Sequence, residues 1–154
     1  MQSFRIRKVS LSFEDFAYRT PMKFRAAVVD RVTILNVDVE CEKDGKTIQG
    51  FGSMPMGNVW SFPASVLTFD QTLSAMRRLA AGLRALIESS GAEGHPIEIN
   101  HQLEPRYFAA AEAIESSEPI PRLCTLVVAS AFDAAIHDAY GKAHRISSYE
   151  TYGR

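Results

Sequence analysis

Pro121-Arg122-Leu123-Cys124-Thr125-Leu126-Val127-Val128-Ala129-Ser130-Ala131-Phe132-Asp133-Ala134-Ala135-Ile136-His137-Asp138-Ala139-Tyr140-Gly141-Lys142-Ala143-His144 is the stretch from which the fold is read. Pro121 suits the first turn of a helix, where its missing N–H is no loss. From Leu123 to Phe132 the residues are apolar nearly all the way round. A helix of that kind is covered on most sides rather than laid on a surface. Polar groups enter at the far end, at Asp133, His137, Asp138, Lys142 and His144. The helix therefore has a dry half and a half that meets something polar.

Upstream, Thr68-Phe69-Asp70-Gln71 has the form of a capping box, with Thr68 as N-cap and Gln71 reaching back. Phe69, Leu73, Met76, Ala80, Leu83 and Ile87 then follow one helical stripe. Arg77, Arg78 and Arg84 lie off it, on a solvated face. Ser90-Gly91 can end this helix with a left-handed residue. Residues 92–96 read as a flexible link. Pro105 fits the start of a further helix through Tyr107, Phe108, Ala111 and Ile114.

The N-terminal part reads as strands. Phe4 and Ile6 share one parity, and Val9, Leu11 and Phe13 the other, so a bulge is expected near Lys8. Residues 14–24 break the alternation, contain Pro21 and read as a loop. From Ala26 to Cys41 the alternation is strongest, with Thr33, Leu35, Val37, Val39 and Cys41 on one face. Asp44-Gly45 predicts a two-residue hairpin turn, because both central positions need positive φ. The returning strand runs from Thr47 to Gly52, with Ile48 and Phe51 as its bulk. Met54 to Pro63 reads as an apolar loop that folds over the sheet, docks on a neighbouring domain or lines a ligand cavity.

Strands first and helices after argue for an α+β fold rather than a parallel βαβ one. The expected architecture is a three-stranded antiparallel meander followed by a three-helix bundle. It forms one domain over residues 1–154, with the sheet in 1–55, the helices in 66–144 and a linker in 145–154.

At 154 residues and a net charge of −1, nothing in the balance of charge pulls the chain toward nucleic acid or an anionic membrane. Arg5, Arg7 and Lys8 alternate with Phe4 and Ile6, which fits a strand's solvated face. The two cysteines, Cys41 and Cys124, fall in a strand and an apolar helix and read as buried free thiols, which suits a reducing cytoplasm. The start lacks a signal-peptide h-region, and no uninterrupted run of about 18 apolar residues suggests a bilayer span.

Catalytic signals are sparse. Asp133 and His137 are four apart and share a helix face, so the carboxylate can orient the imidazole. Two such groups are too few for a metal site, and no His or Cys cluster joins them. No Gly-x-Ser-x-Gly occurs. Gly50-Phe51-Gly52 lacks the third glycine of a dinucleotide fingerprint, its place being taken by Pro55. No catalytic or metal-binding residue is expected in this chain.

Ser130 to Ala143, followed by Tyr149-Glu150-Thr151-Tyr152-Gly153, resembles the end of the capping domain of the enolase superfamily, mandelate racemase/muconate lactonizing type. Ala135-Ile136-His137-Asp138 stands where that family shows Ala-Leu-Trp-Asp, and Gly141-Lys142-Ala143 at its Gly-Lys-Ala. Tyr149 to Gly153 stands at the aromatic-leucine-leucine-glycine segment, with Thr151-Tyr152 in place of the leucines. Gly50-Phe51-Gly52-Ser53 stands where many members read Gly-x-Gly-Glu, so Ser53 departs from the pattern.

The resemblance implies a capping domain whose catalytic barrel would begin at about Arg154. The complete enzymes abstract a proton next to a carboxylate and stabilise the enediolate on Mg²⁺, which is expected only in the barrel. The implied substrate is a small carboxylic acid, such as a sugar acid. In such an enzyme the loops around residues 18–24 and 54–62 face the substrate, through Tyr18, Lys23, Met56 and Trp60. Asp138 and Lys142 would hold the cap on the barrel. The implied partner is that barrel, and a homo-oligomer is expected. The alternative reading is a small standalone binding or oligomerisation domain, its apolar last helix buried between copies.

Overall fold

The computed structural model describes residues 4–24, 27–64 and 66–152. Ala26, where the second strand was expected to begin, and Gly153 and Arg154 at the end of the tail lie outside them. Strands β1 (Arg5–Phe24), β2 (Ala27–Lys43) and β3 (Lys46–Pro55) form an antiparallel sheet in the order β1-β2-β3. Helices α1 (Asn58–Ser61), α2 (Phe69–Ser89), α3 (Pro96–Glu112) and α4 (Arg122–His144) follow, then a 3₁₀ turn at Ser148–Tyr152. This is the expected α+β meander and helical bundle, with the short α1 added between them.

The alternating residues of β2 form the sheet's dry face. Leu35, Val37, Val39 and Cys41 are fully buried. On β1 the register shifts between Ile6 and Lys8. That extra residue is why Phe4, Ile6 and Val9 are all buried despite their opposite parities. Asp44 and Gly45 close the β2–β3 hairpin at φ 50° and 72°, the left-handed values that such a turn requires.

Residues 14–24 are not a loop. β1 continues through them, paired with β2 from Glu14 opposite Ile34 to Phe24 opposite Ala27. Between the pairs Ala17–Arg31 and Met22–Val29, residues Tyr18 to Pro21 stand against Asp30 alone. Pro21 is tolerated because it lies in this irregularity and because β1 is an edge strand. β3 ends at Pro55 opposite Ile34, so β1 and β2 run on beyond it as a two-stranded arm. The arm buries neither face, and Phe16, Met22, Phe24 and Val28 are all exposed. Alternation marks a strand only where one face is dry, so the sequence carried no strand signal here.

Helix α4 is the centre of the domain. It packs against β2, β3, α2 and α3. It buries Cys124, Val127, Val128, Ala131, Phe132, Ala135, Ile136 and Ala139. The cover that its apolar sequence demands is therefore supplied within this chain, and no second domain is needed to explain it. Leu123 and Leu126 remain exposed. By length and composition α4 could cross a membrane, with a mean hydropathy of 1.2, although the residue run itself had suggested no such span. Its place between sheet and bundle is that of a core helix.

The strand beneath α4 is cut back to let it approach. Ile48, Gly50, Gly52 and Met54 oppose Cys41, Val39, Val37 and Leu35 on the dry face. A Cβ on Gly50 would lie 2.7 Å from the Cβ of Ala139, and one on Gly52 would lie 2.6 Å from the backbone nitrogen of Ala135. Ala131, Ala135 and Ala139, one per helical turn, complete the groove. Gly50-Phe51-Gly52 is thus a packing notch. Phe51, expected as bulk, points to the open face and is half exposed.

Helix α2 begins as its sequence indicates. Thr68 Oγ1 accepts from the Gln71 N–H at 3.3 Å, and Gln71 Oε1 accepts from the Thr68 N–H at 2.9 Å. Helix α3 differs from expectation. It begins at Pro96, with His95 as N-cap accepting from the Ile97 N–H at 3.2 Å, and Pro105 lies inside it. Either proline suits a first turn, and the deciding cap is a histidine, which the usual Ser/Thr/Asp/Asn rule passes over. Inside the helix Pro105 leaves the His101 carbonyl without its intrahelical donor. Residues 92–96 are tied down, since the Gly94 N–H donates to the Phe4 carbonyl at 3.0 Å.

Candidate functional site

The arm and the loop after β3 bring together part of what the sequence singled out. Tyr18, Met22 and Phe24 of β1 and Trp60 of α1 line a small cavity of about 110 Å³ under the arm. Trp60 lies across the loop because Gly57 has no side chain. A Cβ there would come within 2.7 Å of the indole ring, and Gly57 also takes a left-handed φ of 52°. Trp60 and Tyr18 remain more than a third exposed, at 39% and 36%.

The other two residues do not join them. Met56 is 1% exposed, and its N–H donates to the Thr33 carbonyl at 2.9 Å. It continues the inward parity of Met54 and belongs to the core. Lys23 lies between Met22 and Phe24 on β1, opposite Val28, so alternation sets it on the other side of the arm.

Charged pairs link the arm to α2. Arg31 meets Asp70 at 2.8 Å and stacks over the Phe69 ring at 4.6 Å. Arg77 meets Asp15 at 3.1 Å and lies 5.0 Å over the Phe13 ring. A hydrogen bond from the Thr33 hydroxyl, then Arg77, holds the Asp15 carboxyl below its ordinary range. These exposed pairs orient the arm more than they stabilise it.

A second and larger concavity, about 490 Å³, opens between α3 and α4. The Asp133–His137 pair proposed from spacing is present there. Asp133 Oδ1 accepts from His137 Nδ1 at 2.9 Å and from Asn100 Nδ2 at 2.6 Å. The hydrogen bond to Asp133 raises the His137 pKa above its usual 6.5, against the opposing effect of burial. Burial, then the charge of Asp133, pushes the Tyr107 phenol up. Tyr152, from the 3₁₀ turn, sets its ring 5.6 Å from that of His137. Spacing along α4 could not reveal Asn100, Tyr107 or Tyr152, which come from other elements.

Within this chain Asp138 and Lys142 tie α4 to the edge of β3. Asp138 Oδ2 accepts from the Phe51 N–H at 2.8 Å and from Lys142 Nζ at 2.6 Å, while Lys142 donates to the Gln49 carbonyl at 3.2 Å. The outer edge of β3 thereby finds a donor and an acceptor one helical turn apart on α4. Asp138→Ala is expected to cost about 1–2 kcal/mol in urea unfolding, low for a charged partner because the bond is exposed. It is also expected to speed hydrogen exchange at the Phe51 amide.

Among the described residues no group of three His, Cys, Asp or Glu side chains could hold a metal ion. Both cysteines are free and buried, and burial pushes their thiols up to about 12, far from a reactive thiolate.

No protein-family model and no curated protein matches the sequence. Solved structures do. An enolase from Bradyrhizobium, complexed with magnesium and mandelic acid, matches with a TM-score of 0.59 at 14% identity, over 99% of this chain and 36% of its own. A dipeptide epimerase from Methylococcus capsulatus, complexed with Mg and a dipeptide, matches with a TM-score of 0.56 at 16% identity, over 97% and 35%. A mandelate racemase/muconate lactonizing enzyme-like protein from Rubrobacter xylanophilus matches with a TM-score of 0.53 at 16% identity, over 90% and 30%. The chain spans about a third of the length of these structures. It has the fold of the N-terminal domain, about a third of the chain, of enolase-superfamily proteins of the mandelate racemase/muconate lactonizing type.

Proposed function

We propose that this chain is the substrate-capping and specificity domain of a Mg-dependent enzyme of the mandelate racemase/muconate lactonizing kind. The enzyme would act on a carboxylic acid, such as a sugar acid, by abstracting the proton next to the carboxylate. The observation that carries this reading is the arm. A long two-stranded ribbon and the loop after β3 meet at one cavity, with Tyr18 and Trp60 each more than a third exposed. Aromatic and methionine side chains give such a cavity adaptable apolar walls.

Proton abstraction and metal binding belong, in this reading, to a barrel domain. This chain's part, in the same reading, is to exclude water and select the substrate. A cytoplasmic enzyme fits the two free thiols, and a homo-oligomer is proposed on the family resemblance alone.

The test begins with the reading frame beyond Arg154. Strand–helix repeats with acidic residues at strand ends are expected there. In the complete enzyme, Tyr18→Ala and Trp60→Ala should change the ranking of carboxylic acids by kcat/KM and leave magnesium affinity unaltered. A stop codon after Arg154, with no barrel chain co-purifying, would overturn the reading in favour of a standalone binding domain.

A further inference from the structure

The cleft between α3 and α4 contains two polar atoms that the protein leaves unsatisfied. Tyr107 Oη and His137 Nε2 are both buried and both lack a hydrogen-bond partner. Tyr107 is 2% exposed. Stranding buried polar groups in this way is unfavourable, and it points to a partner from outside the chain. The chemistry of that partner can be read from what the two atoms offer. Because His137 Nδ1 faces the Asp133 carboxylate, the neutral ring carries its hydrogen there and presents a lone pair at Nε2. Burial keeps the Tyr107 phenol neutral, with lone pairs of its own.

The surroundings add negative charge and apolar surface. Asp133 and Glu104 bring carboxylates to the same cleft. Ile97 and Leu126 form its apolar wall and are about half exposed. The Tyr152 ring closes one side. Acceptors, carboxylates and an aromatic face together select a cation with several N–H donors, and the wall selects an aliphatic stem.

We propose that the α3–α4 cleft binds a small organic ammonium ion, its head received by Asp133, Tyr107 and His137 and its stem laid on Ile97 and Leu126. A protonated His137 is itself a cation facing the head, so proton and ligand compete. The titratable groups that share the cleft with His137 are Asp133 on its own helix, Tyr152 from the tail, and His101, Glu104 and Tyr107 from α3. Because the His137 pKa is raised, the competing proton is held until the pH exceeds the usual histidine value. Affinity therefore rises with pH, by roughly tenfold per unit below that midpoint. The bound ligand in turn lowers the midpoint.

The test is an NMR titration of the 154-residue chain with n-butylammonium, followed at the His137 ring, with n-butanol and butyrate as neutral and anionic controls. Saturable shifts are expected at pH 8 with n-butylammonium alone, weakening as the pH falls. Tyr107→Phe should weaken binding about fivefold, the equivalent of one hydrogen bond, while leaving the melting temperature unchanged or higher. A purely structural hydroxyl would give the opposite pair of results. Asp133→Asn should abolish binding. Equal shifts with n-butanol would overturn the proposal, as would no saturable shift at pH 8, an affinity that ignores His137's titration, or an unchanged affinity in Tyr107→Phe.

Discussion

Gly52→Ala is expected to destabilise the domain by about 3 kcal/mol or more, at the upper end of overpacking costs. For a chain of this size that corresponds to a fall of roughly 6–12 °C in Tm. The added Cβ would sit 2.6 Å from the Ala135 backbone nitrogen and closer still to the Ala131 carbonyl oxygen. Neither atom can rotate away, so α4 must lift from β3 along its length. Gly82→Ala is the matched control. Gly82 lies within α2, and a Cβ there meets nothing within 4 Å. Replacing a helical glycine with alanine should stabilise by about 0.5–1 kcal/mol. Thermal melts of the two variants should therefore move in opposite directions. If Gly52→Ala melts with the parent, the close packing of helix on strand is wrong.

Phe132→Ala should cost about 3–5 kcal/mol, the range for emptying a large aromatic site in a rigid core. Phe132 is among the largest fully buried side chains and sits midway along α4, where sheet and bundle meet. Phe51→Ala, on the half-exposed open face, should cost less than about 1 kcal/mol. Urea unfolding of the two variants distinguishes the core phenylalanine from the surface one. Similar losses at both sites would mean that the open face of the sheet is covered.

The comparison of these two phenylalanines also shows what was legible in the sequence. Where burial is one-sided, periodicity located the elements and their faces, as in β2 from Thr33 to Cys41 and in the stripe of α2. The turn at Asp44-Gly45 and the cap at Thr68 were legible because each needs a particular residue chemistry. At Phe51 the sequence showed bulk without its face, and the two glycines beside it were the mark of the inward face. Residues 14–24 were hidden because a ribbon solvated on both faces has no period to detect. The sites were less legible than the fold. Spacing reveals partners on one helix, which is why Asp133 and His137 were found and Tyr107 was not. Met56 and Trp60 looked alike within one loop, yet the parity inherited from β3 turns one inward and leaves the other at the surface.

The arm beyond Pro55 contributes little to the core, and its exposed residues are joined to the body mainly by solvated ion pairs. Substitutions at such positions usually change stability by no more than about 0.5 kcal/mol. Mutation can therefore explore Phe16, Tyr18, Met22, Phe24 and Val28 freely, while the notch at Gly50 and Gly52 admits almost no change. Substitution that leaves the body of the domain fixed is therefore tolerated most readily along the arm, the part of the fold that stands farthest from its core.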